Sequence, residues 1–185
     1  NLHEAPKGAF TGEISAGMLQ EAGCTHVIVG HSERRTLFAE TDERINRKLR
    51  ASLDASLTPI FCIGELLGER EAGNTEAVIE RQLNGGLNNL TAGDIGHLLI
   101  AYEPVWAIGT GKTASPGQAQ DVHRFIRGWI VDHYGKETAA GLCILYGGSV
   151  TPKNIAELLQ QPDINGALVG GASLDVVSFV QMIGC

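Results

Sequence analysis

The sequence predicts an α/β protein built on a parallel sheet, and three observations support this. Five short runs are almost continuously apolar and rich in β-branched residues, as strands buried on both faces are. Amphipathic helical patterns separate these runs, so strand and helix alternate five times. Nearly every run ends in glycine or a polar residue, at the edge of such sheets where ligands bind. The runs are CTHVIVG (24–30), TPIFCIG (58–64), HLLIAYE (97–103), LCILYG (142–147) and NGALVG (165–170).

The helical segments follow from periodicity and from capping residues. Apolar residues recur every four positions over 42–56, and 75–88 is a second long helical segment. Ser115-Pro116-Gly117-Gln118 is a capping box with proline at the first helical position. Shorter helices are predicted at 16–21 and 176–182, and Thr151-Pro152 is predicted to start another. Two parallel architectures fit this order, an open doubly wound sheet and a closed (β/α) barrel.

Composition narrows the classes of protein to which the chain can belong. It has 185 residues with 14 Lys+Arg and 21 Asp+Glu, and the net charge of −7 argues against a general nucleic-acid binder. Hydrophobic residues make up 43%, enough for the core of a single domain over 1–185. No apolar run approaches the ~18–20 residues of a membrane span, and NLHEAPKGAF lacks the pattern of a signal peptide. We therefore expect a cytoplasmic protein that binds neither nucleic acid nor membrane.

The cysteines do not have the spacing of metal ligands. They lie at 24, 62, 143 and 185, with no CxxC pair and no nearby Cys or His partner typical of zinc sites. Cys24, Cys62 and Cys143 each lie in or beside an apolar run. This predicts buried thiols in a reducing compartment and no metal site.

Glu103 and His31 are the candidate catalytic residues. Glu103 directly follows the apolar run LLIAY, where loss of hydration would raise its pKa toward the range of a general base. His31 ends another strand, and the predicted helix that starts after it favours the neutral imidazole. A neutral imidazole can donate a hydrogen bond to a developing oxyanion. Such a pair is suited to removing a proton next to a carbonyl group.

The last two strands end in glycine-rich loops, Gly147-Gly148-Ser149 and Gly170-Gly171. Glycine lets backbone N–H groups approach a phosphate, and a following short helix would direct its positive end there. Barrels often hold phosphate in the loops after their last two strands. Ser149, Gly170 and Gly171 are therefore candidate phosphate ligands.

The segment after Glu103 is predicted to be a lid that excludes water from the site. Its GTGKT does not make a P-loop, because Trp106 stands where that motif needs glycine. GTGKTA also matches a dinucleotide fingerprint, but Pro104 interrupts the run before it and the helix begins only after Ser115. Gly30-His31-Ser32-Glu33-Arg34 lacks the last glycine of a nucleophile elbow. The predicted lid comprises Pro104, Val105, Trp106, Ala107, Ile108, Gly109, Thr110, Gly111, Lys112 and Thr113.

Five motifs carry a resemblance to one family. They are GAFTGEIS (8–15), VGHSERR (29–35), AYEPVWAIGTGKTASP (101–116), YGGSV (146–150) and LVGGASL (168–174). In this order and spacing they closely resemble the triose-phosphate isomerase family over essentially the whole chain. The resemblance implies a TIM (β/α)8 barrel, of which the chain contains the last five strands and their helices. It also implies interconversion of dihydroxyacetone phosphate and glyceraldehyde 3-phosphate, in glycolysis and gluconeogenesis, without metal or cofactor.

The resemblance also assigns roles to individual residues. Glu103 would shuttle the proton between the two carbons, and His31 would polarise the carbonyl and move protons between the enediolate oxygens, as the corresponding pair of this family does. Ser32 and Glu33 resemble the residues that support the histidine. Closure of the lid would protect the enediolate from losing phosphate. The substrate-binding residues would be Gly109, Ser149, Leu168, Gly170 and Gly171.

The same resemblance implies a homodimer and an incomplete barrel. The loop Thr11-Gly12-Glu13 would enter a neighbouring subunit, where Arg34 would meet it. The family has eight strand–helix units, so we expect this sequence to begin just after the third strand. The family's Asn-x-Lys, with its substrate-binding lysine, would then be missing, since Asn46-Arg47-Lys48 lies within a predicted helix. The alternative to an isomerase is an inactive barrel fragment that needs a complementing N-terminal segment.

Overall fold

The structure is a computed structural model that describes residues 1–108 and 112–184. In these residues five strands form one parallel sheet, and each strand pairs with the next in chain order. Ile28 lies opposite Ile60, and Ile100 lies opposite Ile144. All five predicted strands are confirmed, each shorter than its apolar run. They are β1 (His26–Val29), β2 (Thr58–Ile63), β3 (Leu99–Tyr102), β4 (Ile144–Tyr146) and β5 (Gly166–Ala167).

Helices connect the strands, and the longer ones pack side by side in the order of the strands. The helix after β1 packs on the sheet and on the helix after β2, which in turn contacts the helix after β3. The helices are α1 (Ala16–Glu21), α2 (Ser32–Leu37), α3 (Asp42–Asp54), α4 (Leu67–Glu71), α5 (Thr75–Gly86), α6 (Ala92–Ile95), α7 (Pro116–Tyr134), α8 (Lys136–Gly141), α9 (Ile155–Leu159) and α10 (Val176–Ile183).

The strand order distinguishes the two architectures that the sequence left open. A doubly wound sheet reverses its strand order at a switch point, whereas the order here runs from β1 to β5 without reversal. Right-handed crossovers then place the helices on one face of the sheet, as in a (β/α) barrel. The five strands form part of such a barrel, with β1 and β5 at the two edges of the described sheet.

Caps and buried apolar faces explain the two longest helices. The Thr41 side chain accepts the N–H of Arg44 at the start of α3, and the predicted capping box opens α7. Ile45 and Leu49 of α3 are fully buried, as is Ile126 of α7. Each such side chain contributes about 1.5–3 kcal/mol of burial free energy. This packing fixes the sheet whose strand ends carry the candidate site.

Two expectations about local structure are wrong. Helix α9 begins at Ile155 rather than at Thr151-Pro152, because the Asn154 side chain accepts the N–H of Thr151 and forms a turn there. Cys62 is buried as predicted, but Cys24 and Cys143 are exposed. Both exposed cysteines precede their strands, where the chain enters the sheet from the surface. Over 1–108 and 112–184, no helix combines the length and apolar character needed to cross a membrane.

Candidate active site

The carboxyl ends of four strands enclose a cavity of about 350 Å³. It brings together residues that the sequence placed at separate strand ends. A larger cavity of about 460 Å³ lies on the other side of Glu103, but neither His31 nor the glycine-rich loops line it. We place the site in the smaller cavity for that reason. Its lining includes His31, Glu103, Ile108, Ser149, Leu168, Gly170 and Gly171.

Glu103 follows β3 and is only 2% exposed. Its Oε1 lies 3.0 Å from Nε2 of His31, and its Oε2 accepts the backbone N–H of Ser32 at 3.0 Å. Burial raises the pKa of the Glu103 carboxyl, while His31 and the Ser32 N–H oppose that rise. The net result is a carboxylate that takes up a proton at a higher pH than an ordinary glutamate, as a general base requires.

His31 is held at the start of α2 with one nitrogen turned toward the helix. It is the N-cap residue, and its Nδ1 accepts the backbone N–H of Glu33 at 3.3 Å. A ring nitrogen that accepts a hydrogen bond carries no proton, so Nε2 carries it and donates to Glu103. Ser32 and Glu33 meet the pair through their backbone N–H groups, whereas the Glu33 side chain is 72% exposed.

The loop after β5 forms a short 3-10 turn, Gly171–Leu174. The Gly170 carbonyl accepts both the N–H and the hydroxyl of Ser173. The first N–H groups of a helical turn have no partner within it. Across the cavity, the Ser149 carbonyl accepts the Asn154 side chain at 3.0 Å, which holds the loop after β4.

The described part of the predicted lid begins as a short 3-10 turn, Val105–Ala107. Pro104 and Ala107 are buried, and Ile108 lines the cavity. Lys112 and Thr113, at the other end of the predicted lid, are exposed. The lid residues Gly109, Thr110 and Gly111, and with them the predicted ligand Gly109, lie outside the described residues.

Glu65 bonds to Trp106 of the predicted lid, a contact that sequence reasoning missed. It is fully buried after β2, and its Oε1 accepts the indole N–H of Trp106 at 2.9 Å and a guanidinium N–H of Arg70 at 3.0 Å. Tyr102 donates to the same carboxylate at 3.1 Å. The Arg70 guanidinium also lies over the Trp106 ring, 4.9 Å from its centroid. The sequence signal that could have indicated Glu65 was its position just beyond the end of β2, since Glu103 was found from its position at the end of β3.

Two further neighbours of Glu103 were not assigned from the sequence. A Cβ built on Gly64 would lie 1.7 Å from the Glu103 carbonyl oxygen, so the two backbones are in direct contact. The thiol of Cys62 faces the carboxylate, and burial, followed by Glu103, raises the Cys62 pKa well above its ordinary value. The glycine directly after β2 was a signal for this close approach.

The residues predicted for a dimer contact lie on the surface or pair within the chain. Thr11 and Gly12 are exposed, and Oε1 of Glu13 lies 3.9 Å from Arg44. Arg34 donates to Glu40 of its own chain, and its guanidinium lies 4.4 Å above the Phe38 ring. The Asn46–Lys48 segment lies inside α3, as predicted.

Fold and site together define a class of protein. A parallel sheet wound in one direction, with a carboxylate–imidazole pair and glycine-rich loops at its carboxyl edge, is typical of α/β-barrel enzymes with acid–base chemistry. Across 1–108 and 112–184, no group of three or more His, Cys, Asp or Glu side chains is arranged to hold a metal ion.

Comparison with known proteins identifies the family. The triosephosphate isomerase family model matches residues 1–185. The chain is 56% identical over 183 residues to triosephosphate isomerase of Syntrophotalea carbinolica, covering 99% of the chain and 73% of the relative. It is 58% identical over 177 residues to that of Geobacter metallireducens, covering 96% and 70%. The chain therefore belongs to the triosephosphate isomerase family, whose named members are enzymes.

Proposed function

We propose that this chain interconverts dihydroxyacetone phosphate and glyceraldehyde 3-phosphate by proton transfer through an enediolate. The observation that carries the proposal is the 3.0 Å contact between Nε2 of His31 and Oε1 of Glu103. The cavity that holds this pair is also lined by Ser149, Gly170 and Gly171. A base, a hydrogen-bond donor and a phosphate-binding edge are what the reaction needs. This reaction is a step of glycolysis and gluconeogenesis.

Glu103 is the proposed base that removes a proton from one carbon and returns it to the next. Its burial supports this role, because a raised pKa makes the carboxylate a stronger base. In the structure Oε2 is bonded to the Ser32 N–H. The carboxylate must leave this contact to reach a substrate carbon inside the cavity.

His31 is the proposed electrophile. The Glu33 N–H bonded to Nδ1 keeps Nε2 protonated, so a neutral N–H is directed toward the cavity. Such a donor stabilises the oxyanion that forms as the carbonyl becomes an enediolate. When Glu103 moves toward the substrate, this donor becomes available to the substrate oxygen. Ser32 and Glu33 hold the pair through the backbone.

The phosphate would lie against the loops after β4 and β5. Ser149, Gly170 and Gly171 supply backbone groups there, and Leu168 contributes an apolar wall. Gly109 of the lid is proposed to add a further N–H. The lid 104–113 would close over the site through Ile108, exclude water and keep the enediolate from losing phosphate.

Replacement of the base tests this proposal. Glu103→Gln should lower turnover by about 10²–10⁴-fold, the usual contribution of a positioned base. Binding of 2-phosphoglycolate, a phosphorylated mimic of the enediolate, should persist in calorimetry because the loops after β4 and β5 are unchanged. Glu76→Gln, at an exposed position of α5, is the matched control and should change neither quantity. Equal turnover in Glu103→Gln and in the control would refute the assignment.

The second candidate is a barrel fragment that gains activity only with a complementing segment. Two observations favour it: the chain spans 73% of the length of the Syntrophotalea carbinolica relative, and among the described residues that line the cavity none is lysine or arginine. A cation supplied by another segment would stabilise the phosphate and the reacting oxygens. The part of that relative outside the match, added as a separate chain, should then create turnover. Full turnover without it would exclude this alternative.

A homodimer is proposed as the assembled form, with 1–185 as one domain of a cytoplasmic protein. Apolar side chains around the proposed dimer loop Thr11–Glu13 support this, because large exposed apolar patches mark interaction sites. Light scattering after size exclusion should give twice the 19.6 kDa of the chain, and Thr11→Arg or Arg34→Glu should shift the mass toward one chain. The exposed apolar residues are Phe10, Ile14, Met18, Leu37 and Phe38.

A further inference from the structure

Arg35 joins three elements directly behind the candidate site. It lies in α2, and its side chain is 17% exposed. Its Nε donates to the Gly30 carbonyl at the end of β1 at 2.9 Å. Its two terminal nitrogens donate to the Cys62 carbonyl in β2 at 3.1 Å and to Asp42 at the start of α3 at 2.6 Å. One guanidinium thus ties two strand ends and the following helix together.

Only a guanidinium can make this set of bonds. Its donors lie in one plane and diverge in fixed directions, whereas a lysine ammonium is a single point of charge on a flexible stem. Two of the three acceptors are carbonyls at the ends of neighbouring strands. A lysine at position 35 would preserve the charge but could not bridge both carbonyls in the same geometry.

The Gly30 carbonyl belongs to the segment that carries His31, and the Cys62 carbonyl belongs to β2, whose next residue, Ile63, accepts the Glu103 N–H at 2.7 Å. Gly30 immediately precedes His31, with φ of +76°, and a Cβ there would lie 3.2 Å from the Cys62 carbonyl oxygen. The ends of β1 and β2 are therefore already in close contact at this point. On the other side, the Cys62 thiol faces Glu103. Any separation of these strand ends would change the distance between His31 and Glu103.

We infer that Arg35 is a positioning residue that fixes the distance between His31 and Glu103 by clamping the ends of β1 and β2. The inference rests on the proposed function, since it assigns to Arg35 the alignment of that pair. Arg35 touches none of the atoms that would react. Arg35 and Asp42 line the larger cavity, on the side of Glu103 away from the candidate site.

The charge of Arg35 gives the clamp a measurable signature. Burial raises the pKa of Glu103, whereas contact with His31 and the positive charge of Arg35 favour its ionised form. The other groups that face the carboxylate are the Cys62 thiol and the Ser32 N–H. Removing the Arg35 cation should therefore raise the titration midpoint of Glu103 further. A role confined to holding the fold together would leave that midpoint unchanged.

The experiment compares Arg35→Met, Arg35→Lys and Asp42→Asn with the unmodified chain. Carbon-13 NMR of chains labelled at glutamate carboxyls follows the Glu103 signal, which is identified by its absence in Glu103→Gln. Circular dichroism confirms that each variant is folded. Arg35→Met should shift the midpoint upward, and Arg35→Lys should shift it less because the charge remains.

Turnover measurements distinguish the positioning effect of Arg35 from the effect of its charge. Both Arg35 variants should lose kcat by about 10²-fold with little change in KM, because displacement of the pair by about 1 Å has that effect. Asp42→Asn retains both carbonyl bonds and should stay within about threefold of the unmodified chain. An unchanged Glu103 midpoint in folded Arg35→Met, or full kcat in Arg35→Lys, would overturn the inference. If the unmodified chain shows no turnover, the proposed function fails for this chain alone, and the titration still decides the role of Arg35.

Discussion

Gly64 is the position where one added methyl group should most directly disturb the candidate site. A Cβ there would lie 1.7 Å from the carbonyl oxygen of Glu103 and 2.6 Å from its carbonyl carbon. Ordinary contact begins near 3.4 Å, so the two backbones must separate by roughly 1.7 Å in Gly64→Ala. The Glu103 N–H donates to the Ile63 carbonyl at 2.7 Å, and this separation would break that bond as well.

The expected loss follows from that displacement. Overpacking typically destabilises a core by about 1–3 kcal/mol, and a clash between two backbones belongs at the upper end. Urea unfolding should therefore show a loss of about 3 kcal/mol in the free energy of unfolding. Displacement of Glu103 relative to His31 by more than 1 Å should lower turnover by on the order of 10²-fold.

A matched glycine on the protein surface provides the control. A Cβ on Gly128 in α7 would meet nothing within 4 Å, so Gly128→Ala should gain up to about 1 kcal/mol from helix propensity and keep full turnover. If Gly64→Ala unfolds like the unmodified chain and retains its turnover, the described contact between Gly64 and Glu103 is wrong.

Three further predictions concern stability. Burial lowers the pKa of fully buried His123 to about 4, so the chain should lose about 3 kcal/mol of stability as the pH falls from 6.5 to 4. The His123→Gln variant should not show this loss. Equal pH profiles of stability for the two chains would contradict the prediction. Burial raises the pKa of Glu103, so the unmodified chain should lose stability as the pH rises from the ordinary glutamate pKa through the raised one. In urea unfolding, Glu103→Gln should therefore gain stability relative to the unmodified chain across that pH range. A difference in stability that does not change with pH would argue against the pKa shift. Arg127 donates to Asp163 at 2.6 Å and to the backbone carbonyls of Ala139 and Leu142. In urea unfolding, Arg127→Met should therefore lower the free energy of unfolding by about 3 kcal/mol. A loss below about 1 kcal/mol would show that the ion pair contributes little to stability.

The strands and the positions of Glu103 and His31 could be predicted because each depends on local patterns. Continuous apolar runs identify strands buried on both faces, and a polar residue directly after such a run must lie at the carboxyl edge of the sheet. Glu103 and His31 were found in this way. The start of α2 at His31 followed from the predicted helix, and in the structure Nδ1 of His31 accepts the Glu33 N–H there.

What the sequence could not show depends on contacts between distant segments. Glu65 was visible as a strand end, but its bond to Trp106 joins residues 41 positions apart. The Arg35 clamp likewise joins β1, β2 and α3 through one side chain, and no periodicity records it. The exposure of Cys24 was missed because an apolar run does not reveal at which residue the strand begins.

Exchange of the C1 protons of dihydroxyacetone phosphate with solvent deuterium would report directly on proton removal by Glu103. Proton NMR in D2O would follow the signal with the unmodified chain, with Glu103→Gln and with the Glu76→Gln control. We predict rapid loss of the signal with the unmodified chain and the control, and a loss slower by about 10²–10⁴-fold with Glu103→Gln. Exchange at the same rate in all three samples would contradict the assignment of Glu103 and His31 as the reacting pair.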